Sequence, residues 1–163
     1  MIVELGHFAL ILALMVALVQ ATLPMWGAHT GDRRLMALAG PAAGLQLLLI
    51  GGAFAALTWA FVVSDFSLAV VVSNSHTLKP MLYKVAGVWG NHEGSLLLWV
   101  LILAIYGAAV AWFGDNLPAR LKARVLSVQA MIGVAFLLFL LITSNPFWRL
   151  VQPPLDGEDM NPL

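Results

Sequence analysis

The sequence contains no cysteine and few charged side chains. The absence of cysteine excludes disulfide bonds, thiolate metal sites and thioether attachment of any group to this chain. Charged residues make up 10% of the 163 residues and hydrophobic residues 61%, whereas a soluble domain carries about 25% charged residues. The formal net charge of 0 does not suggest a nucleic-acid-binding surface. The composition therefore predicts an integral membrane protein.

Four stretches of the chain lack Asp, Glu, Lys and Arg entirely, and each can supply the roughly 20 apolar residues that cross a bilayer. They are Leu5–Gly31, Leu35–Ser64, Gly94–Gly114 and Val125–Trp148. We expect a single all-α membrane domain over residues 1–163, with transmembrane helices near 6–25, 41–63, 95–113 and 125–143. No proline is expected inside a helix, because Pro24, Pro41, Pro118 and Pro146 lie at or beyond the predicted ends.

The distribution of charge predicts how the chain crosses the membrane. No Lys or Arg precedes Arg33 and no small-residue cleavage site follows the first apolar run, so we expect that run to be retained as a span. Five of the eight basic residues lie in the predicted loops 26–40 and 114–124, which the positive-inside rule places in the cytoplasm. They are Arg33, Arg34, Arg120, Lys122 and Arg124. Both termini, the connection 64–94 and the tail 144–163 are then periplasmic.

A few polar and aromatic residues have predictable positions within this arrangement. Tryptophans near the span ends are typical of anchors at the membrane–water interface. Gln46 and Gln129 are the most central polar residues of the spans. We expect each to face protein and to form a hydrogen bond between helices, in preference to lining an ion pathway.

The connection 64–94 is roughly 30 residues long, and loops of more than about 12–15 residues usually carry a function or structure of their own. Its first part, "FSLAVVVSNSH", is rich in β-branched residues and predicts a short strand or a continuation of the second helix. Its second part, "KPMLYKVAGVWGNHEGS", predicts a short amphipathic helix lying on the membrane.

The stretch "NHEGSL" does not match two known catalytic patterns. A zinc-protease helix needs His-Glu-x-x-His, and Leu96 occupies the position of the second histidine. A phosphate-binding loop needs Gly-Lys-Ser/Thr, and no lysine follows Gly94. Asn91 or Ser95 can instead cap the third transmembrane helix. The glycine-rich stretch then predicts a structured entrance to a helix.

Trp89 and His92 are the candidate cofactor-binding residues, and they share a face with Trp99 if the helix extends upstream. Imidazole is a good axial ligand for haem iron, and His7, His76 and His92 all fall near the predicted outer face. The alternative for His92 is a capped, hydrogen-bonded helix entrance. The residues expected to shape the loop or meet a partner are Gly90, Glu93, Gly94 and Ser95. We identify no catalytic residue and no metal ligand.

Three segments resemble the N-terminal portion of the CcmF-type cytochrome c haem lyases. They are "SNSHTLKPMLYKVAGVWGNHEGSLLLWVLIL" at 73–103, "FLLFLLITSNPFWRL" at 136–150 and "PLDGEDMNPL" at 154–163. The resemblance implies a protein of the bacterial inner membrane that helps transfer haem from a periplasmic chaperone to apocytochrome c. It also implies thiol-reducing maturation subunits as partners, and a haem b bound mainly by parts of the family that this chain lacks.

The chain departs from that family pattern in two places. It has no tryptophan-rich "WGGWWFWDP"-like segment, and it ends before the expected "HPP" motif. The 163 residues are therefore expected to be an N-terminal part, or a split subunit, of a longer lyase. The alternative function is a non-catalytic structural subunit of a transporter or respiratory complex. A proton-conducting subunit would carry a carboxylate or lysine deep in a span, which these four lack.

Overall fold

A computed structural model of the chain describes residues 1–158, and residues 159–163 of the predicted tail lie outside the described part. The described residues form seven helices and, in place of a sheet, one isolated antiparallel bridge between Leu68 and Arg149. The helices are α1 Ile2–Thr30, α2 Arg33–Ala37, α3 Ala39–Val62, α4 Ala69–Asn74, α5 Met81–Gly87, α6 His92–Phe113 and α7 Ala119–Ile142.

Four of these helices are long and apolar enough to cross a membrane. They are α1, α3, α6 and α7, and the short helix α2 extends the second of these spans at its start. The prediction of an all-α protein with four candidate transmembrane helices is confirmed. Each of these four helices begins a few residues earlier than the sequence predicted. In α1, α6 and α7 helical geometry extends through polar or charged residues such as Glu4, His92 and Arg120, which hydropathy excludes from a span.

Pro24 lies inside α1, so the prediction that proline avoids helix interiors is wrong. The ring is fully buried, and membrane helices tolerate proline where neighbouring helices re-satisfy the freed backbone group. The helix ends instead at Gly31, which adopts a left-handed conformation with φ 81°. The Gly31 N–H donates to the Gly27 carbonyl at 2.8 Å, which closes the last turn.

The four long helices form a closed ring. Helix α1 packs against α3 and α7, α3 packs against α6, and α6 packs against α7. Small residues where the helices meet allow this close approach. A Cβ atom added at Gly6 of α1 would lie 2.8 Å from the Cβ of Ala56 in α3. Van der Waals contact between small side chains therefore holds the pair, as expected where lipid removes the hydrophobic driving force between helices.

Three glutamines form hydrogen bonds between helices. Gln46 of α3 donates to the Ala13 carbonyl of α1 at 2.7 Å, and Gln129 of α7 donates to the Leu103 carbonyl of α6. These bonds confirm the expectation for both residues. Gln20 of α1, for which no contact was predicted, donates to the Leu126 carbonyl of α7 at 3.1 Å. Helix pairing in the ring is thus specified by side-chain amides as well as by shape.

The two ends of the bundle differ in structure. The turn end carries the short connections 31–32 and 114–118. The loop end carries residues 63–91 and 143–158. Glu4 forms an ion pair with Arg149, so the start of α1 and the segment after α7 meet at the loop end. All six tryptophans are exposed on the surface of the chain, as lipid-facing anchors would be.

Candidate functional site

The connection after α3 begins with a sharp turn and continues as a separate helix. Ser64 has a left-handed backbone with φ 55°, and the Asp65 N–H donates to the Ala60 carbonyl at 2.9 Å. The chain then forms α4, so the prediction of a strand or a continuation of the second helix is wrong. Three consecutive valines of α4, at positions 70–72, are buried. Tertiary packing of these side chains outweighs the β propensity of the segment.

Helix α5 leaves an apolar patch exposed. The patch consists of Leu78, Met81, Leu82 and Tyr83, whose exposed fractions run from 55% to 87%. The opposite face of α5 is covered, since Lys84 and Val88 are buried. The predicted short helix is present and its exposed face is apolar, whereas its position on the membrane stays a prediction.

Lys84 attaches α5 to the end of α3. Its side chain is 8% exposed and its ammonium group donates to the Ser64 hydroxyl at 2.6 Å. A buried ammonium without a hydrogen-bond acceptor is costly, so this contact fixes the position of α5. A Cβ atom added at Gly87 would lie 3.3 Å from the Phe61 ring, so the end of α5 also lies close to α3.

Asn91 and Gly94 shape the entrance to α6. The Asn91 side-chain oxygen accepts from the Gly94 N–H at 2.7 Å, which caps the helix. The Asn91 side-chain amide donates to the Gly87 carbonyl at 2.7 Å and to the Val88 carbonyl at 3.2 Å. A Cβ atom at Gly94 would lie 1.6 Å from the Val88 carbonyl oxygen, so only glycine fits there.

The other residues predicted to shape the loop are Gly90, Ser95 and Glu93, and their positions restrict the residue type less than that of Gly94 does. A Cβ atom at Gly90 would meet its nearest neighbour, the Ala86 carbonyl oxygen, at 3.4 Å, which is ordinary contact. Ser95 donates to the His92 carbonyl at 3.0 Å from inside α6, so Asn91 is the cap. Glu93 lies in the first turn of α6, where the helix dipole favours a negative charge.

Trp89 and His92 are both exposed, and the structure places them on different elements. Helix α6 begins at His92, so helical geometry does not extend back to Trp89. Trp89 therefore does not share a helix face with His92 and Trp99, contrary to the prediction from the sequence. The His92 ring meets Phe139 of α7 edge-on, with ring centres 6.2 Å apart. Trp89 lies in the turn between α5 and α6 with 45% of its surface exposed.

His7 and His92 contact different residues of α7 and of the segment that follows it. The His7 ring lies 6.3 Å from the Phe147 ring, and its Nδ1 atom is 3.4 Å from the Asn145 amide, whereas His92 meets α7 elsewhere. Within residues 1–158, no group of three or more His, Cys, Asp or Glu side chains is placed to hold a metal ion.

A groove of about 350 Å³ beside α1 is lined by His7, Phe147 and Arg149 among others, but not by Trp89 or His92. The Trp89 and His92 rings are exposed in the described part of the chain, and their assignment as haem-binding residues stays a prediction. We assign no step of haem chemistry to them.

The segment after α7 docks onto the connection after α3. The Leu150 N–H donates to the Ser67 carbonyl at 2.9 Å, and the Glu158 N–H donates to the Val72 carbonyl at 2.7 Å. Arg149 donates to the Ser67 hydroxyl at 2.7 Å and pairs with Glu4. The loop end is therefore one folded layer, built from two segments that are far apart in the sequence.

Asp156 holds the far end of this layer. Its carboxylate accepts from the Thr77 hydroxyl at 2.7 Å and from the Thr77 N–H at 2.9 Å. These hydrogen bonds, with one from the Gly157 N–H, hold the pKa of Asp156 below its usual range. The roles of Lys84, Arg149 and Asp156 could not be predicted from the sequence, because no local pattern indicates a partner many residues away.

Comparison with known proteins identifies related sequences along the whole chain. Residues 89–163 match the family model of the cytochrome c assembly proteins. The chain is 69% identical over all of its 163 residues to the cytochrome c-type biogenesis protein ccl1 of Rhodobacter capsulatus. It is 57% identical over its full length to the cytochrome c-type biogenesis protein CcmF of Pseudomonas aeruginosa. In both cases it spans 25% of the relative's length.

The solved structure of a cytochrome c haem lyase, CcmF, has the same fold. It matches 90% of this chain with a TM-score of 0.83 and 30% sequence identity. The match covers 25% of that structure's chain. The resemblance to an N-terminal portion of the CcmF-type proteins is thereby confirmed.

Proposed function

Since the chain is a CcmF-type sequence that spans about a quarter of its relatives, we propose that it serves cytochrome c maturation as part of a haem lyase. The observation that carries this proposal is the 69% identity to a cytochrome c-type biogenesis protein over 100% of this chain. The fold match at a TM-score of 0.83 supports it independently.

In the proposed arrangement the chain spans the bacterial inner membrane with its loop end in the periplasm. The basic residues of the turn end support this orientation, because cytoplasmic loops carry an excess of Lys and Arg. Arg33 and Arg34 open α2 after the short connection 31–32, and Arg120 and Lys122 lie at the start of α7. The loop end then faces the compartment in which c-type cytochromes receive haem.

The chain contributes a scaffold and a partner surface rather than reacting groups. Haem attachment joins the haem vinyl groups to the thiols of apocytochrome c, so the reacting thiols come from that partner. The ring of helices α1, α3, α6 and α7 would support the remaining parts of the lyase. The exposed apolar patch of Leu78, Met81, Leu82 and Tyr83, together with Trp89, would bind a haem chaperone, apocytochrome c or a thiol-reducing subunit.

The test is the level of covalent haem in c-type cytochromes of a bacterium that depends on this chain. Trp89→Ala and His92→Ala are compared with Trp112→Ala, which removes a tryptophan at the turn end that is 58% exposed, against 45% for Trp89. We expect Trp89→Ala to reduce haem staining severalfold, because aromatic side chains at an interface carry much of the binding energy. Trp112→Ala should insert and mature cytochromes normally.

Two outcomes contradict different parts of the proposal. Unchanged haem staining in both Trp89→Ala and His92→Ala would leave the loop end as a purely structural layer. Unchanged staining after deletion of the whole chain would show that it has no role in cytochrome c maturation.

A further inference from the structure

A small cavity lies inside the ring of transmembrane helices and does not belong to the loop-end surface. The positions that the centre of a water molecule can occupy there fill a volume of about 30 Å³. All four long helices contribute to its wall, and the polar part of that wall comes from Gln20, Gln46 and Gln129. Three of the four glutamines in the chain therefore surround one space, and the fourth, Gln152, is exposed at the loop end.

Two of the three glutamines, Gln20 and Gln46, carry side-chain carbonyl oxygens that no group of residues 1–158 satisfies. The side-chain amide of Gln20 donates to the Leu126 carbonyl, and that of Gln46 donates to the Ala13 carbonyl. The carbonyl oxygens of both side chains have no donor among the described residues, although the two residues are only 3% and 7% exposed. Buried polar atoms of folded proteins almost always have a partner, so a donor is needed in the cavity.

The size and lining of the cavity restrict what that donor can be. No acidic or basic side chain lines the space, so it has no counter-charge for an ion. An apolar molecule would leave both oxygens unpaired. A water molecule needs at least about 10–15 Å³ of such space and two to four polar partners, so the cavity fits about two waters.

We propose that this cavity is a binding site for about two water molecules that donate hydrogen bonds to the side-chain oxygens of Gln20 and Gln46. Bound water would join α1 to α3 inside the hydrocarbon region, in addition to the direct bonds made by the amide groups. Gln129 supplies a third polar group at the wall. The Gln129 amide lies close to Gly107 of α6. A Cβ atom added at Gly107 would be only 2.7 Å from the Gln129 side-chain nitrogen.

The test is the detection of dipolar contacts between water protons and the glutamine side-chain amides. It uses the full chain, labelled with ¹⁵N-glutamine, in a lipid nanodisc with deuterated lipid. Contacts with long-lived water give cross-peaks in both NOE and ROE spectra, with a sign in the ROE spectrum that proton exchange does not produce. Gln152 is the internal control, since contact with bulk water is too brief to give a lasting NOE.

We expect long-lived water contacts at both Gln20 and Gln46, and none at Gln152. Absence of such a contact at either buried glutamine would overturn the proposal. Gln46→Met keeps the length of the side chain but removes its amide group, including the oxygen that would accept from water, and it should at least halve the water contact at Gln20. The matched variant Gln152→Met should leave that contact unchanged, and a Gln20 contact that is equally strong in both variants would also overturn the shared site.

Discussion

The turn end and the loop end of the bundle are built in different ways. At the turn end, short connections join adjacent helices, and the ion pair of Lys122 with Asp115 at 3.1 Å lies on the surface. At the loop end, hydrogen bonds join residues that are 79 and 82 positions apart in the chain. The difference shows that hydropathy is enough to place the helices, whereas the loop end depends on particular side chains. Substitutions should therefore be more costly at the loop end.

Gly94→Ala should give the largest loss of stability. The added methyl group would lie 1.6 Å from the Val88 carbonyl oxygen, and backbone atoms cannot move aside as a flexible side chain can. We expect a loss of about 3 kcal/mol or more, at the upper end of what overpacking costs. Thermal unfolding of the purified chain in detergent measures it.

Gly90→Ala is the matched control, because its added methyl group would meet its nearest atom only at 3.4 Å. Its unfolding midpoint should stay close to that of the unsubstituted chain. Equal midpoints for Gly90→Ala and Gly94→Ala would contradict the structure assigned to the entrance of α6.

Ser64→Ala should rank second. It removes the hydroxyl that accepts from the buried ammonium of Lys84, and an unsatisfied buried donor costs about 1–3 kcal/mol. The control is Ser73→Ala, since Ser73 is exposed and bonds only to the Ala69 carbonyl of its own helix. A Ser64→Ala midpoint no lower than that of Ser73→Ala would show that Lys84 does not hold α5 in place.

The docking of the tail should depend on pH through Asp156. Its pKa is lowered in the folded chain, mainly by the hydrogen bond from the Thr77 hydroxyl. The carboxylate therefore stabilises the docked tail above its unfolded pKa of about 3.9, and this contribution is lost as the pH falls through the folded pKa. Hydrogen-exchange protection of residues 150–158, corrected for intrinsic rates, should fall over that acidic range.

Thr77→Ala should lower this protection already at neutral pH and weaken its dependence on pH. If the protected tail responds to acid equally in Thr77→Ala and in the unsubstituted chain, the hydrogen bonds of Asp156 are not the cause.

Lys122→Ala at the turn end should have the smallest effect. Asp115 is 90% exposed, and exposed ion pairs contribute about 0.2–1 kcal/mol or less. The unfolding midpoint should shift by less than that of Ser64→Ala. A larger shift would reverse the contrast between the two ends.

The helices could be predicted from the sequence because runs without charge leave few alternatives in a bilayer. The interhelical roles of Gln46 and Gln129 were predictable for the same reason, since a central polar group in lipid needs a partner. The position of Pro24 inside α1 was not predictable, because the burial of its ring between helices is decided by tertiary packing.

The loop end was predicted only in part. The capping role of Asn91 follows from its place before an apolar helix, and it is present in the structure. Helix α4 was missed because its three valines favour a strand locally and become helical only when buried. The pairing of Asp156 with Thr77 left no signal within any short window of sequence.

The claim that the loop end is the partner-facing end can be tested most directly by photo-crosslinking in living cells. A photoreactive amino acid is placed at Leu82, which is 76% exposed at the loop end, or at Phe113, which is 83% exposed at the turn end. We predict crosslinks from position 82 to proteins of cytochrome c maturation, identified by mass spectrometry, and none from position 113. Crosslinks to such proteins from position 113 alone would contradict the account.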